Sequence, residues 1–290
     1  MKNKRKVNST GVGLGLHARR ILAYVVLIIV SFFCLFWFYV LFVNATRSNS
    51  NLQSGFSVLP SSNLLSNWKH LLEKSGLPVI QGMLNSLIIS TCSAVVCVYF
   101  STMTAYAIHV YDFKLKKFIY PFILAVMMIP TQVTALGFVN LVSDMNLEDS
   151  FIPLIIPQIA VPITFFYMKQ YMESSLPLSL VEAARIDGSG EFRTFNHIVL
   201  PLMKPAIAVE AIFTFVSRWN NYFIPALILH DDSKKTMPIL IAQLRAADWL
   251  KFDMGQVYIM IAFSIFPVIV VYLILSKHIV QGVALGSVKG

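Results

Sequence analysis

The chain has 290 residues, of which 57% are hydrophobic and 13% charged, with a mean hydropathy of +0.70 and a net charge of +9. A water-soluble domain carries about 25% charged residues, so this composition excludes an ordinary soluble enzyme and places the chain in the membrane class. The positive charge sits between apolar runs, where it reads as topology rather than as a nucleic-acid footprint.

Residues 1–20, MKNKRKVNSTGVGLGLHARR, form a basic tail ahead of the apolar run 21–43. Val43-Asn44-Ala45 resembles a signal cleavage site, but a cleaved signal has an apolar stretch of about 7–15 residues. The longer run here predicts an uncleaved first span. Residues 44–83 then form a long external loop. Its Ser/Asn-rich start is expected to be irregular, and NWKHLLEK predicts a short interfacial helix with Trp68, Leu71 and Leu72 on one side.

A membrane helix needs about 20 apolar residues. Residues 84–108, 118–142, 151–168, 206–229 and 257–276 meet that need, and with 21–43 they predict an all-α membrane protein of six transmembrane helices. Residues 84–277 hold the last five, and residues 278–290 form a C-terminal tail. Pro121, Pro130, Pro153, Pro157, Pro162, Pro225 and Pro267 predict kinks within them. Cys34, Cys92 and Cys97 all lie in apolar runs and read as small buried residues, not as disulfides or metal ligands.

Basic residues orient the spans. Lys2, Lys4, Arg5, Lys6, Arg19, Arg20, Lys114, Lys116, Lys117, Lys169, Arg185, Arg193, Lys204, Lys277 and Lys289 fall on one side; Arg47, Lys69, Lys74, Lys234, Lys235, Arg245 and Lys251 fall on the other. The richer side is the cytoplasmic one, which places both termini and the connection between spans four and five there.

That connection is the most polar stretch of the core. Ser179-Leu180-Val181-Glu182 has the form of a capping box, so a helix is expected to start at Ser179 and run through EAARID. Gly188 follows Asp187 where a left-handed C-cap needs it. A second helix is expected from Glu191 to Ile198, stopped before Pro201. Ala183, Ala184 and Ile186 are small or sparse apolar positions at which another backbone can approach. The bland alternative is an amphipathic elbow lying on its own bundle or on headgroups.

The segment resembles the EAA motif of inner-membrane permease subunits of bacterial ABC importers. That pattern is E-A-A, three residues, G, nine residues, I-x-L-P, and Glu182-Ala183-Ala184, Gly188, Ile198, Leu200 and Pro201 fit it without departure. The resemblance implies a cytoplasmic coupling helix at 179–201 that seats in an ATPase subunit, with Ser179 and Asp187 beside the motif residues. Asn85-Ser86, Trp219-Asn220-Asn221, Pro225 and the tail QGVALGSVKG are similar to the carbohydrate-uptake type, typified by the smaller maltose permease subunit. The likeness runs from about Trp68 onward. It implies a second permease subunit, two ATPase subunits carrying ATP and Mg, an extracytoplasmic solute-binding protein, and a bacterial cytoplasmic membrane. No nucleic-acid partner is implied.

Ionisable side chains within a span are costly and often functional. Glu210, Thr214 and Arg218 recur at helical spacing in the fifth span, followed by Trp219, Asn220 and Asn221. On a translocation path, amides and an aromatic suit sugar hydroxyls and ring faces. The competing reading is polar glue between helices. Gln132 and Gln158 are further candidates, and His109 reads as an interfacial residue. The chain contains no G-x-x-x-x-G-K-[ST], H-E-x-x-H or nucleophile elbow. Neither catalysis nor a cofactor is therefore expected in this chain, and ATP hydrolysis falls to another. An importer for a non-sugar solute and a stand-alone secondary transporter are the alternatives, the latter without a visible coupling-ion site.

Overall fold

The computed structural model describes residues 10–246 and 253–286, with side chains for His17 and for residues 19–246 and 253–277. The start of the basic tail, Lys251 of the charge pattern, and the end of the C-terminal tail lie outside the described residues. So do the side chains of QGVALGSVKG.

The regular elements among the described residues are all helices, with no strand. In chain order the helices are α1 (Thr10–Ala45), α2 (Asn49–Gln53), α3 (Leu64–Glu73), α4 (Val79–Val110), α5 (Lys116–Val126), α6 (Thr131–Asp144), α7 (Ile152–Ile155), α8 (Pro162–Ser175), α9 (Leu178–Ile186), α10 (Glu191–Thr194), α11 (Leu200–Leu202), α12 (Lys204–Trp219), α13 (Phe223–Ile228), α14 (Met237–Arg245) and α15 (Met254–Gly286). Four stretches are long and apolar enough to cross a membrane: Arg19–Ala45, Val79–Val110, Ile152–Ser175 and Met254–Lys277. Two bent pairs bring the number to as many as six.

The bends follow from proline and from lost pairing. α5 and α6 meet at 97°, with Pro130 in extended conformation as the N-cap of α6. The kink expected at Pro130 is thus a full break that divides the stretch into two helices. Within Ile152–Ser175 the backbone tightens to a 3₁₀ segment, Ile156–Ala160, where Pro157 removes a donor. The expected fifth span, 206–229, is also corrected: α12 ends at Trp219, and the chain re-forms a helix only at Phe223.

Residues 10–70 and 253–262 form one compact unit. Its loop after α1 is ordered, contrary to the expectation of irregular chain. Ser48 caps α2 by accepting from the Asn51 amide. The buried Arg47 guanidinium donates to Asn44 Oδ1 at 3.3 Å, to Gly55 O at 2.8 Å and to Asn51 O. Asn67 donates to the carbonyls of Ala45 and Arg47, both at 2.9 Å. An uncharged loop thus satisfies a buried cation with carbonyls. The expected helix around NWKHLLEK is present as α3, but Leu71 is buried while Leu72 is exposed.

Residues 71–246 and 263–286 form the second unit, built around α4, which packs on α8 and α12. Near the start of α4, Asn85 Nδ2 donates to Ser233 O and Lys235 O, both at 2.9 Å. Ser86 Oγ accepts from the Met237 amide at 2.8 Å. The Asn-Ser pair at the head of α4 thus pins the turn before α14. Two apolar clusters lie along α4. One gathers Ile89, Val142, Leu154, Ile228, Leu229 and Ile239. The other, toward Val110, gathers α4 and α8 with Val181, Phe195, Val199 and Met203 from the segment between α8 and α12.

Candidate functional site

The polar segment builds a helix, a turn and a second helix. α9 starts at Leu178 with Pro177 as its N-cap, and no side chain caps it. The expected capping box is thus corrected: Ser179 already lies inside the first turn. Pro177 fixes its own φ and so presets the entry. The other end is as expected. Gly188 has φ +77°, its amide donates to Arg185 O at 3.0 Å, and the Ser189 amide donates to Ala184 O at 2.9 Å. These two bonds form a Schellman cap, which requires the left-handed glycine.

The second helix runs on through Pro201, contrary to the expected stop. α10 passes into a π-helical turn, Phe195–Val199, and then into α11. The Leu200 amide donates to Phe195 O, five residues back. The wider turn accommodates a proline that lacks the α-helical donor.

Side chains from the Val110 end of α4 hold this pair of helices. Glu191 Oε1 accepts from Arg185 Nε at 2.7 Å. Its Oε2 accepts from Tyr111 at 2.6 Å and from Tyr106 at 3.1 Å. The Arg185 guanidinium lies 5.5 Å from the Tyr111 ring centroid. The bond from Arg185, then that from Tyr111, holds the Glu191 carboxyl below its ordinary pKa, and partial burial raises that of Tyr111. Tyr99 donates to Asn196 Oδ1 at 3.3 Å, and the His109 ring lies 3.1 Å from Leu176 O. None of these ties was expected from sequence except His109 as a boundary residue. No local pattern pairs residues 80 positions apart.

Of the motif residues, Ala184 is buried, and Glu182, Ala183, Asp187, Gly188 and Pro201 are exposed. Ser179 is exposed too, while Ile198 and Leu200 are half-buried. Ala184 therefore packs inward within this chain. Ile186 is 85% exposed and Phe192 72%. They leave an apolar surface on either side of the Gly188 turn that none of the described residues covers.

The second group of candidates divides. Glu210, Thr214 and Arg218 line one cavity of about 460 Å³ with Gln158, Thr164 and Tyr167. Arg218, Asn221 and Gln158 line another of about 240 Å³ with Thr131, Thr134 and Pro225. Gln158 and Arg218 thus belong to the walls of both. Gln158 Oε1 and Arg218 Nε are buried without a hydrogen-bond partner. Trp219 lies apart: it is buried and stacked on Phe215 at 5.7 Å, and it lines neither cavity. Asn220 caps α12 and is exposed, and Gln132 is exposed in the first turn of α6. These three do not join the cluster. Among the described residues no group of His, Cys, Asp and Glu could hold a metal ion.

Residues 97–285 match the family of binding-protein-dependent transport system inner membrane components. The chain belongs to this family. The permease is 35% identical over 209 residues to the arabinooligosaccharides transport system permease protein AraQ of Bacillus subtilis (strain 168), covering 71% of this chain and 72% of that one. It is 31% identical over 267 residues to the sn-glycerol-3-phosphate transport system permease protein UgpE of Yersinia pestis bv. Antiqua (strain Antiqua), covering 90% and 95%. Its fold is similar to a chain in the crystal structure of a bacterial ABC transporter involved in the import of the acidic polysaccharide alginate. There the TM-score is 0.76 at 22% identity, with 94% of this permease and 99% of that chain covered.

Proposed function

We propose that this permease forms half of the translocation path for a carbohydrate and couples it, through residues 179–201, to an ATPase subunit. The observation that carries the reading is the uncovered apolar surface at Ile186 and Phe192, on a Schellman-capped helix tied to the end of α4 by Glu191. A push on that surface reaches α4, α8 and α12 through one packed cluster. The four long stretches, the bent pair α5–α6 taken as one crossing, and α12 without the preceding polar segment give six spans. Charge then places both tails and the coupling segment in the cytoplasm. A second permease subunit completes the path, two ATPase subunits bind ATP and Mg, and a solute-binding protein delivers cargo from outside.

The cargo class is supported by the arabinooligosaccharide permease among the relatives and by the amide, hydroxyl and guanidinium groups of the two cavities. Gln158 and Arg218 stand where passing hydroxyls meet unfilled hydrogen-bonding capacity. Arg218 favours a second reading, an anionic polyol such as the glycerol phosphate named for UgpE, because a guanidinium pairs with phosphate bidentately. The test is to purify the permease with its copurifying subunits and measure ATP hydrolysis with and without arabinooligosaccharide or glycerol 3-phosphate. Stimulation by the oligosaccharide supports the first reading, and stimulation by the phosphate alone supports the second. No ATPase subunit and no stimulation by either contradicts both.

A further inference from the structure

The loop after α1 carries an apolar surface that the transport reading does not use. Phe56 is 69% exposed, Leu59 73% and Leu65 80%, with Val58 and Leu64 also exposed. From Ser48 to Trp68 the chain has no charged residue. A loop bathed in water on both sides rarely keeps such a composition.

Geometry fixes its depth. Tyr39, on α1, donates to Val58 O at 2.6 Å, so residues 56–59 lie alongside the helix rather than beyond its end. Arg20 to Tyr39 spans about 28 Å at 1.5 Å per residue, close to the ~30 Å hydrocarbon thickness. With Arg20 at one surface, Tyr39 and the exposed Trp37 fall at the other, where aromatic residues form belts. The remaining turns of α1 bury one face, with Val40, Val43, Asn44 and Ala45 buried within this unit, while Phe42 stays exposed. Several of the loop's donors and acceptors are met internally, which eases its placement at that depth. Arg47 takes the Gly55 and Asn51 carbonyls, Thr46 Oγ1 takes the Ser61 amide at 2.8 Å, and Ser57 Oγ takes the Leu59 amide at 3.1 Å.

We propose that residues 56–59, with Leu65, are an interfacial lipid anchor that inserts into the headgroup–acyl boundary of the leaflet at the Ala45 end of α1. The occupant is membrane lipid, not another protein. The inference rests on α1 crossing the bilayer. Apolar insertion at this depth, with a tyrosine and a tryptophan beside it, is how interfacial segments hold a membrane surface.

The test uses single cysteines at Phe56 or Leu59 in the full chain, with Cys34 and Cys92 replaced by alanine and buried Cys97 kept. Each is labelled with a bimane and reconstituted, with the copurifying subunits, into phosphatidylcholine–phosphatidylglycerol vesicles. The vesicles carry a nitroxide at a shallow or a deep acyl position. The proposal predicts quenching at 56 and 59 by the shallow nitroxide lipid several-fold stronger than by aqueous iodide. A label at Ser50→Cys should show the reverse. Iodide quenching at 56 and 59 without lipid quenching overturns the proposal, and so does protection from both quenchers, which means that protein covers the loop. A label at Phe33→Cys separates the two levels of argument. If it too escapes nitroxide lipid, α1 does not cross the membrane and the span reading itself fails.

Discussion

Glu191 accepts from three side chains at once, and two of them belong to the end of α4. Its carboxyl is about half exposed, so the attraction is screened and the set is worth only about 1 kcal/mol. Glu191→Gln should lower thermal stability by that order, read as a melting shift of a few degrees in detergent. Because the folded carboxyl titrates below its ordinary value, its contribution is fully present above the unfolded value of about 4.3. It is lost as pH falls through the lowered folded value. The gap in melting temperature between wild type and Glu191→Gln should therefore stay constant from pH 8 to about 5.5 and close in stronger acid. A gap that instead grows on acidification contradicts the assignment. Of this cluster, only the acidic residue and its neighbouring arginine were legible in sequence. Tyr106 and Tyr111 precede Glu191 by 85 and 80 residues, and only the tertiary approach of α4 selects them.

The elements show where local chemistry is sufficient and where it is not. Gly188 was legible because a left-handed cap is a backbone requirement that one residue type meets cheaply. Gly188→Ala should cost about 1–2 kcal/mol, while Asn at this position should cost less; thermal unfolding of the two variants checks the order. The start of α9 was misread because Ser179-x-x-Glu182 fits a capping box, whereas Pro177 presets the turn two residues earlier. Pro201 was misread as a stop because a π turn, set by the packing of Phe195 and Val199 against α4 and α8, cannot be inferred from the proline alone. The loop after α1 was misread as irregular because its order depends on one buried arginine whose partners are carbonyls. Gly255 belongs to the same clasp. A Cβ there would meet Asn67 Nδ2 at 2.8 Å and Arg47 O at 3.0 Å. Gly255→Ala should therefore displace the Asn67 amide and cost about 1–3 kcal/mol, visible as faster proteolysis between residues 46 and 63.

At the scale of the whole molecule, the sequence carries no G-x-x-x-x-G-K-[ST] motif, and its family supplies the inner-membrane component of a binding-protein-dependent system. Membrane class and the polar helix–turn–helix were legible because apolar runs and a compact polar motif are sequence-local. The cavities were not, since Gln158 and Arg218 come together only when the 3₁₀ segment packs near α12. If these two side chains gate the path, Arg218→Ala should lower uptake at least tenfold while leaving subunit assembly intact. Gln158→Leu should do the same more weakly. Uptake by reconstituted vesicles, with copurification as the control, decides this. Unchanged uptake in both variants contradicts a role on the path.

The coupling claim turns on Ile186, a large apolar side chain that the described residues leave open at 85% exposure. The direct measurement is labelling of Ile186→Cys by a membrane-impermeant maleimide in the assembled importer, before and after the ATPase subunits are stripped. The account predicts protection in the complex and rapid labelling once they are removed. Equal labelling in both states would contradict it.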